Sequence, residues 1–195
     1  MATLAELAAQ AADCTKCPLH STRTQVVFGV GDPHAPLMFV GEGPGKDEDE
    51  QGEPFVGRSG KLLDQVLFDE FGVKRDRVYI TNVVKSRPPG NRDPLPDEIA
   101  ACRPWLEQQL DLIEPKVVIT LGNFATKLLL LGDTKAKEGI TKLRGKAYPW
   151  RNGAVLVPTF HPSAVLRNGG GQPLAQMRAD FIRAKVALAD AGIVL

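Results

Sequence analysis

Pro36-Leu37-Met38-Phe39-Val40-Gly41-Glu42-Gly43-Pro44-Gly45 decides how the rest of the chain is read. Its first half is a short apolar run of the kind that forms a buried strand. After a polar stretch running through Lys46-Asp47-Glu48-Asp49-Glu50 to Pro54-Phe55-Val56-Gly57, Ser59 opens a helical pattern with Leu62, Leu63, Val66, Leu67 and Phe71 on one face. A loop that leaves a parallel strand and feeds a helix lies at the ligand-binding edge of an α/β sheet. Glycines at 41, 43 and 45 let the backbone come close to a ligand with its N–H groups turned inward. By itself such a loop serves equally as a phosphate or base site or as a tight turn. It is neither a Walker loop nor a dinucleotide fingerprint, because no Gly-Lys-Ser/Thr closes it and the GxGxxG spacing fails.

At 195 residues and 43% hydrophobic, the chain has material for one sizeable core, so residues 1–195 are expected to form a single domain. Lys and Arg number 24 against 23 Asp and Glu, a net charge of +1, so a nucleic-acid partner would have to be met by a local basic face. No apolar run approaches the roughly 18 residues of a membrane span, and no basic n-region with a hydrophobic stretch opens the chain. A cytoplasmic monomer without membrane contact is the expectation. Three cysteines, two of them spaced as Cys14-x-x-Cys17, form an odd set that favours metal or cluster ligation over disulfides.

Residues 2–13 are rich in helix formers and run into Cys14-Thr15-Lys16-Cys17-Pro18, where proline stops the helix. A bare CxxC fits a redox pair, half of a zinc site or half of an iron-sulfur site. Arg77–Thr81 reads as the second strand, with Asn82 at its end; Lys116–Leu121 and Ala154–Val157 read as the third and fourth. Between them lie a proline-limited basic loop over 85–94, a helix opened by Pro96-Asp97-Glu98 and carrying Cys102, and an apolar helix over 124–131. A basic, irregular stretch over 139–148 and an Asn152-Gly153 hairpin turn follow. The fourth strand delivers His161-Pro162-Ser163, whose imidazole points to the same edge as Asn82 and the first loop, and a last helix spans 173–191. Strands separated by helices make the sheet parallel and covered on both faces.

These segments resemble the family 4 uracil-DNA glycosylases, the iron-sulfur branch of the uracil-DNA glycosylase superfamily. The resemblance spans nearly the whole chain. It rests on Gly-Glu-Gly-Pro-Gly at 41–45, Pro-Phe-Val-Gly-Arg-Ser-Gly at 54–60, Thr-Asn-Val-Val-Lys at 81–85, the run from Arg87 to Glu98, and His-Pro-Ser at 161–163. It implies an α/β fold, a three-layer α/β/α domain around a short four-stranded parallel sheet of order 2-1-3-4. The implied activity is hydrolysis of the glycosidic bond of deoxyuridine flipped out of single- or double-stranded DNA. Gly41 and Gly43 would shape the substrate loop, Phe55 would stack on the base, and Asn82 would read its edge. Glu48 would stand near C5 and exclude thymine. His161 would donate to uracil O2 as negative charge builds there, and Glu42 would position the attacking water. Ser163, Leu166 and Arg167 would enter the minor groove, and Arg87, Arg92 and Arg144 would contact phosphates.

The resemblance also implies a [4Fe-4S] cluster held by four cysteines. Here Cys14, Cys17 and Cys102 match, and Ser86 stands at the remaining ligand position. Serine is a poorer iron ligand than thiolate, so the expectation is a cluster retained with altered ligation, with His20 a further candidate ligand. The alternative function is a DNA-binding relative that captures uracil with weak or no catalysis. Crosslinking relatives carry Gly-Glu-Gln-Pro-Gly and an added basic, His-containing loop, whereas this chain has Gly43 and no such insertion after Asn82.

Overall fold

A computed structural model describes residues 3–195; Ala2, included in the expected first helix, lies outside them, as does Met1. The first helix, α1 (Leu4–Ala12), is opened by a capping box in which the Thr3 hydroxyl accepts from Glu6 N–H and the Glu6 carboxylate accepts from Thr3 N–H. Four parallel strands form the centre of the sheet: β2 (Leu37–Gly41), β3 (Tyr79–Asn82), β4 (Val117–Leu121) and β6 (Val155–Thr159). They lie in the order β3-β2-β4-β6, the 2-1-3-4 order expected of the four. The sheet has six strands rather than four, because β1 (Val30–Gly31) and β5 (Tyr148–Pro149) add as short antiparallel edges. Two residues per edge strand left no alternation to read in the sequence.

Side chains of the central strands alternate between two cores, as a period of two requires. Met38, Val40 and Val118 face one side and meet α1 and α4 (Pro96–Ile113) through Leu7, Ala11, Cys102, Trp105 and Leu106. Leu37, Phe39, Val117 and Ile119 face the other and meet α3 (Arg58–Phe71) and α8 (Gly171–Asp190) through Leu63, Leu67, Met177 and Phe181. The result is an α/β/α sandwich.

Three stretches depart from the expected boundaries. The polar stretch after the glycines contains a helix, α2 (Lys46–Gln51), where a loop was expected. Its first turn carries Asp47, Glu48 and Asp49, which complement the positive helix end, and Glu48 closes back on Gly45 N–H. The helix after β4 is split into α5 (Asn123–Thr126) and a π-helical turn (Lys127–Leu131). The irregular basic stretch holds one short helical turn, α6 (Ile140–Leu143), whose Ile140 N–H is held by Asn123 Oδ1 at 2.7 Å. Finally α7 (Pro162–Arg167) follows β6 directly. No described helix is long and apolar enough to cross a membrane.

Candidate active site

The parallel strands end on one rim, and the loops leaving them enclose a cavity of about 560 Å³. Glu42, Gly43 and Glu48 line it from the first loop and α2, Phe55 from the turn beyond, Asn82 from the end of β3, and His161 from the end of β6. Register sets Gly41 beside Asn82. A β-carbon on Gly41 would collide with Asn82 Oδ1 and with the Phe55 ring, so this glycine is the space in which amide and ring sit side by side. Gly43 is comparably tight, 2.7 Å from a Val84 methyl if given a β-carbon.

Asn82 is buried, and its Oδ1 finds no hydrogen-bond partner among the described residues. A buried unpaired acceptor costs about 1–3 kcal/mol. A ligand N–H in the cavity would recover that cost. The ring of Phe55 lies across the same space, its centroid 5.6 Å from that of His161 with the planes 33° apart. Phe55 has a backbone φ of +55°, in the left-handed region where a β-carbon is crowded by about 1–2 kcal/mol.

His161 is the N-cap of α7. Its Nδ1 accepts the Ser163 backbone N–H at 3.1 Å and contacts the Ser163 hydroxyl at 2.7 Å. With Nδ1 an acceptor, the ring proton of the neutral imidazole belongs on Nε2. Burial, with the nearby charge of Arg167, pushes the imidazolium pKa down to about 4, so at neutral pH the ring is an uncharged donor. Glu42 moves the other way: burial, and the carboxylate of Asp93 beside it, push its pKa up to about 7. A carboxyl poised near neutrality can hold or take a proton at working pH.

Other expected site residues are placed differently from one another. Glu48 lines the cavity, but its carboxylate is engaged by backbone: Oε2 accepts from Gly45 N–H, and Oε1 from Val56 and Gly57 N–H at 3.0 and 3.1 Å. The Ser163 hydroxyl turns inward onto His161. Leu166 and Arg167, at the end of α7, are exposed. Arg87 is half-buried and donates to Asn91. Arg92 lines the cavity while bound through both terminal nitrogens to buried Glu98, which it holds below the usual carboxylate range. Arg144 is not a free surface cation. Its side chain is only 12% exposed and grips the fully buried carboxylate of Asp180 through two bonds of 2.8 Å. This placement lends no support to the expected phosphate contact, because Nε and Nη2 are spent on Asp180 and on the Gln176 carbonyl.

Cys14, Cys17, Ser86 and Cys102 are drawn toward one another between α1, the turn after β3, and α4. Arg23 joins two of them, donating to the Cys14 carbonyl at 2.7 Å and to Ser86 Oγ at 3.3 Å, while Cys102 Sγ accepts from Lys85 N–H at 3.2 Å. Burial pushes the Cys17 and Cys102 thiols up, and the neighbouring cysteines push both further. No group of three or more His, Cys, Asp or Glu among the described residues is arranged around a single ion. Three thiols close enough that Cys14 and Cys17 raise the pKa of Cys102, with a hydroxyl two contacts away through Arg23, are the donor types that suit a multi-iron cluster, which spaces its ligands more widely than one ion does. Exposed His20 instead bonds the Cys17 carbonyl through Nδ1.

Three residues with a part in this architecture were given no individual role by the sequence reading. Lys85, fully buried, spends its three N–H bonds on Thr81 Oγ1, the Asn82 carbonyl and Gln109 Oε1 at 2.6–2.7 Å, and burial lowers its pKa to about 7. A lysine three residues after a strand-end Asn was the only available signal. Asp93 and Arg75 carried none, since their partners are set by tertiary contacts.

A family model described as the Uracil DNA glycosylase superfamily matches residues 28–184. The chain is 49% identical over 172 residues to a type-4 uracil-DNA glycosylase of Thermotoga maritima, covering 88% of each chain. It is 47% identical over 171 residues to a type-4 uracil-DNA glycosylase of Sulfurisphaera tokodaii, covering 86% of this chain and 78% of the relative. With a type-5 uracil-DNA glycosylase of Thermus thermophilus the identity is 31%, over 70% of this chain and 68% of that one. Together with the sheet order and the cavity at its edge, these matches mean that the chain belongs to the uracil DNA glycosylase superfamily, in its type-4 branch.

Proposed function

We propose that this protein is a uracil-DNA glycosylase of base excision repair, acting in the cytoplasm as a monomer on uracil in single- or double-stranded DNA. The observation that carries the reading is the unpartnered Asn82 Oδ1, buried beside the Phe55 ring in the rim cavity. Uracil N3–H is a donor for that oxygen, and the amide nitrogen can return a bond to O4; cytosine presents the reverse pattern. Phe55 stacks on the flipped base, worth about 1–3 kcal/mol. The bound Glu48 carboxylate, immobilised by three backbone N–H groups, forms the wall against a C5 methyl.

As the C1′–N1 bond lengthens, the base gains negative charge and the sugar positive charge. Neutral His161 then donates its Nε2 proton as a hydrogen bond to O2, an interaction that strengthens toward the transition state. Ionised Glu42 orients a water toward C1′ and stabilises the cationic sugar; the C1′–N1 electron pair leaves on uracil, the water's oxygen bonds to C1′ while its proton passes to Glu42, and the uracil anion takes up a proton from solvent, leaving an abasic site and free uracil. Leu166 and Arg167, exposed at the end of α7 with Arg167 lining the cavity, are the pair to fill the vacated stack, and Ser163 orients His161 from behind. Arg87 and Arg92 remain the candidate phosphate contacts.

Cys14, Cys17 and Cys102, with Ser86 as the fourth position, would hold a [4Fe-4S] cluster tying the N-terminal helix to α4. Its contribution would be structural. Anaerobically purified protein lacking iron and absorbance near about 400 nm would reject this assignment. The activity itself is tested by incubating the protein with a labelled uracil oligonucleotide and then with alkali. Strand scission at uracil supports the glycosylase; a protein–DNA adduct, or an intact strand, overturns it.

A further inference from the structure

Phe55 reaches the slot from a backbone conformation its residue type disfavours, with φ at +55°. Such a conformation persists only where the surroundings over-determine it. Here they do so from both sides. Arg75, at the head of a 3₁₀ turn (Arg75–Arg77) just before β3, donates Nη2 to the Phe55 carbonyl at 2.7 Å and Nη1 to the Pro54 carbonyl at 3.2 Å. Asp64 on α3 fixes the guanidinium through Nε at 3.0 Å. On the far side the Glu48 carboxylate holds the next two N–H groups, those of Val56 and Gly57. Helix α3 closes against the same peptide at Gly60, where a β-carbon would overlap the Phe55 carbonyl. Arg75 does not line the cavity.

We propose that Arg75 is a positioning residue for base recognition, locking the Phe55 peptide in its left-handed conformation so that the ring is held flat across the slot before uracil arrives. The proposal rests on the reading that Phe55 stacks on the flipped base. Without the clamp the residue relaxes to an ordinary backbone, the ring swings off the slot, and stacking must be re-established in each encounter.

The test is a double-mutant cycle. Arg75→Met, which keeps the apolar stem, Arg75→Lys, which keeps one donor, and Phe55→Ala are made singly, and each arginine variant is combined with Phe55→Ala. Single-turnover kcat/KM on a uracil oligonucleotide is read well below the melting temperature of every variant. Arg75→Met should lower kcat/KM about tenfold in the parent and leave the Phe55→Ala background unchanged, with Arg75→Lys recovering part of the loss. An equal loss in both backgrounds, or none in the parent, overturns the proposal. Full activity in Phe55→Ala alone is a different failure, that of the stacking reading itself. If Arg75→Met does not fold, Asp64→Asn, which frees the guanidinium at a half-exposed position, takes its place and must show the same dependence on Phe55.

Discussion

At the scale of single residues, the site depends on three side chains whose burial sets opposite behaviours. Asn82 holds an acceptor ready for a base N–H, and Asn82→Ala should lower kcat/KM on uracil DNA about 100- to 1000-fold, read in single-turnover assays. His161, with its pKa lowered to about 4, stays neutral across the working range, so it adds no limb to the activity profile between pH 6 and about 8. Glu42, raised to about 7, does add one: activity should climb as pH rises through that value, and the limb should vanish in Glu42→Gln along with most of the turnover. The stability effect has the reverse sign. Between the ordinary 4.5 and about 7 the native state holds a proton that the unfolded chain has released, so the native state is favoured below this window and loses that advantage as pH rises across it. Glu42→Gln should therefore melt higher than the parent at pH 8 and lose that lead at pH 4, in parallel thermal scans.

At the scale of elements, charge that looked free in the sequence is used to fasten one segment to another. Arg144 follows α6 and binds Asp180 in the middle of α8, joining the basic stretch to the outer helix. Arg144→Met leaves that carboxylate buried with only the more distant Arg183, 3.9 Å away on the same helix, a loss of up to about 3–5 kcal/mol. A large drop in melting temperature is expected, with the salt dependence of DNA binding unchanged; a shallower salt slope would restore Arg144 as a phosphate contact. The acidic run Lys46–Gln51 shows the same economy. Read as a loop, it is a helix because its acids sit at the positive end and Glu48 bonds the Gly45 N–H behind it. Helix type and approximate extent were legible for α3 and α4, where apolar residues recur at helical spacing over many turns. The four-residue turn α6 was not, because so short an element has no period to detect.

At the scale of the molecule, four separated loops meet because parallel strands all release their chains at the same sheet edge. Cys14 and Cys102 pack in the core layer that joins α1 to α4, and Ser86 stands where the family resemblance implies a fourth thiolate. Ser86→Cys should raise iron bound per chain and the melting temperature together, measured on anaerobically purified protein; unchanged iron content would show that residue 86 is not a ligand position. The alternation of strands and helices, the two-faced core and the placing of the first loop, Asn82 and His161 at strand ends were legible in the sequence itself, since hydrophobic period and strand–helix alternation act through neighbours along the chain; the strand order and the parts of Phe55 and Glu42 were expected only from the family resemblance. Tertiary structure alone decided which charges stay free, which tautomer His161 adopts, and what holds Phe55 in place. Those outcomes depend on burial and on partners many residues distant, such as Asp180 for Arg144 and Arg75 for Phe55, and local sequence carries no record of which distant groups will be brought into contact.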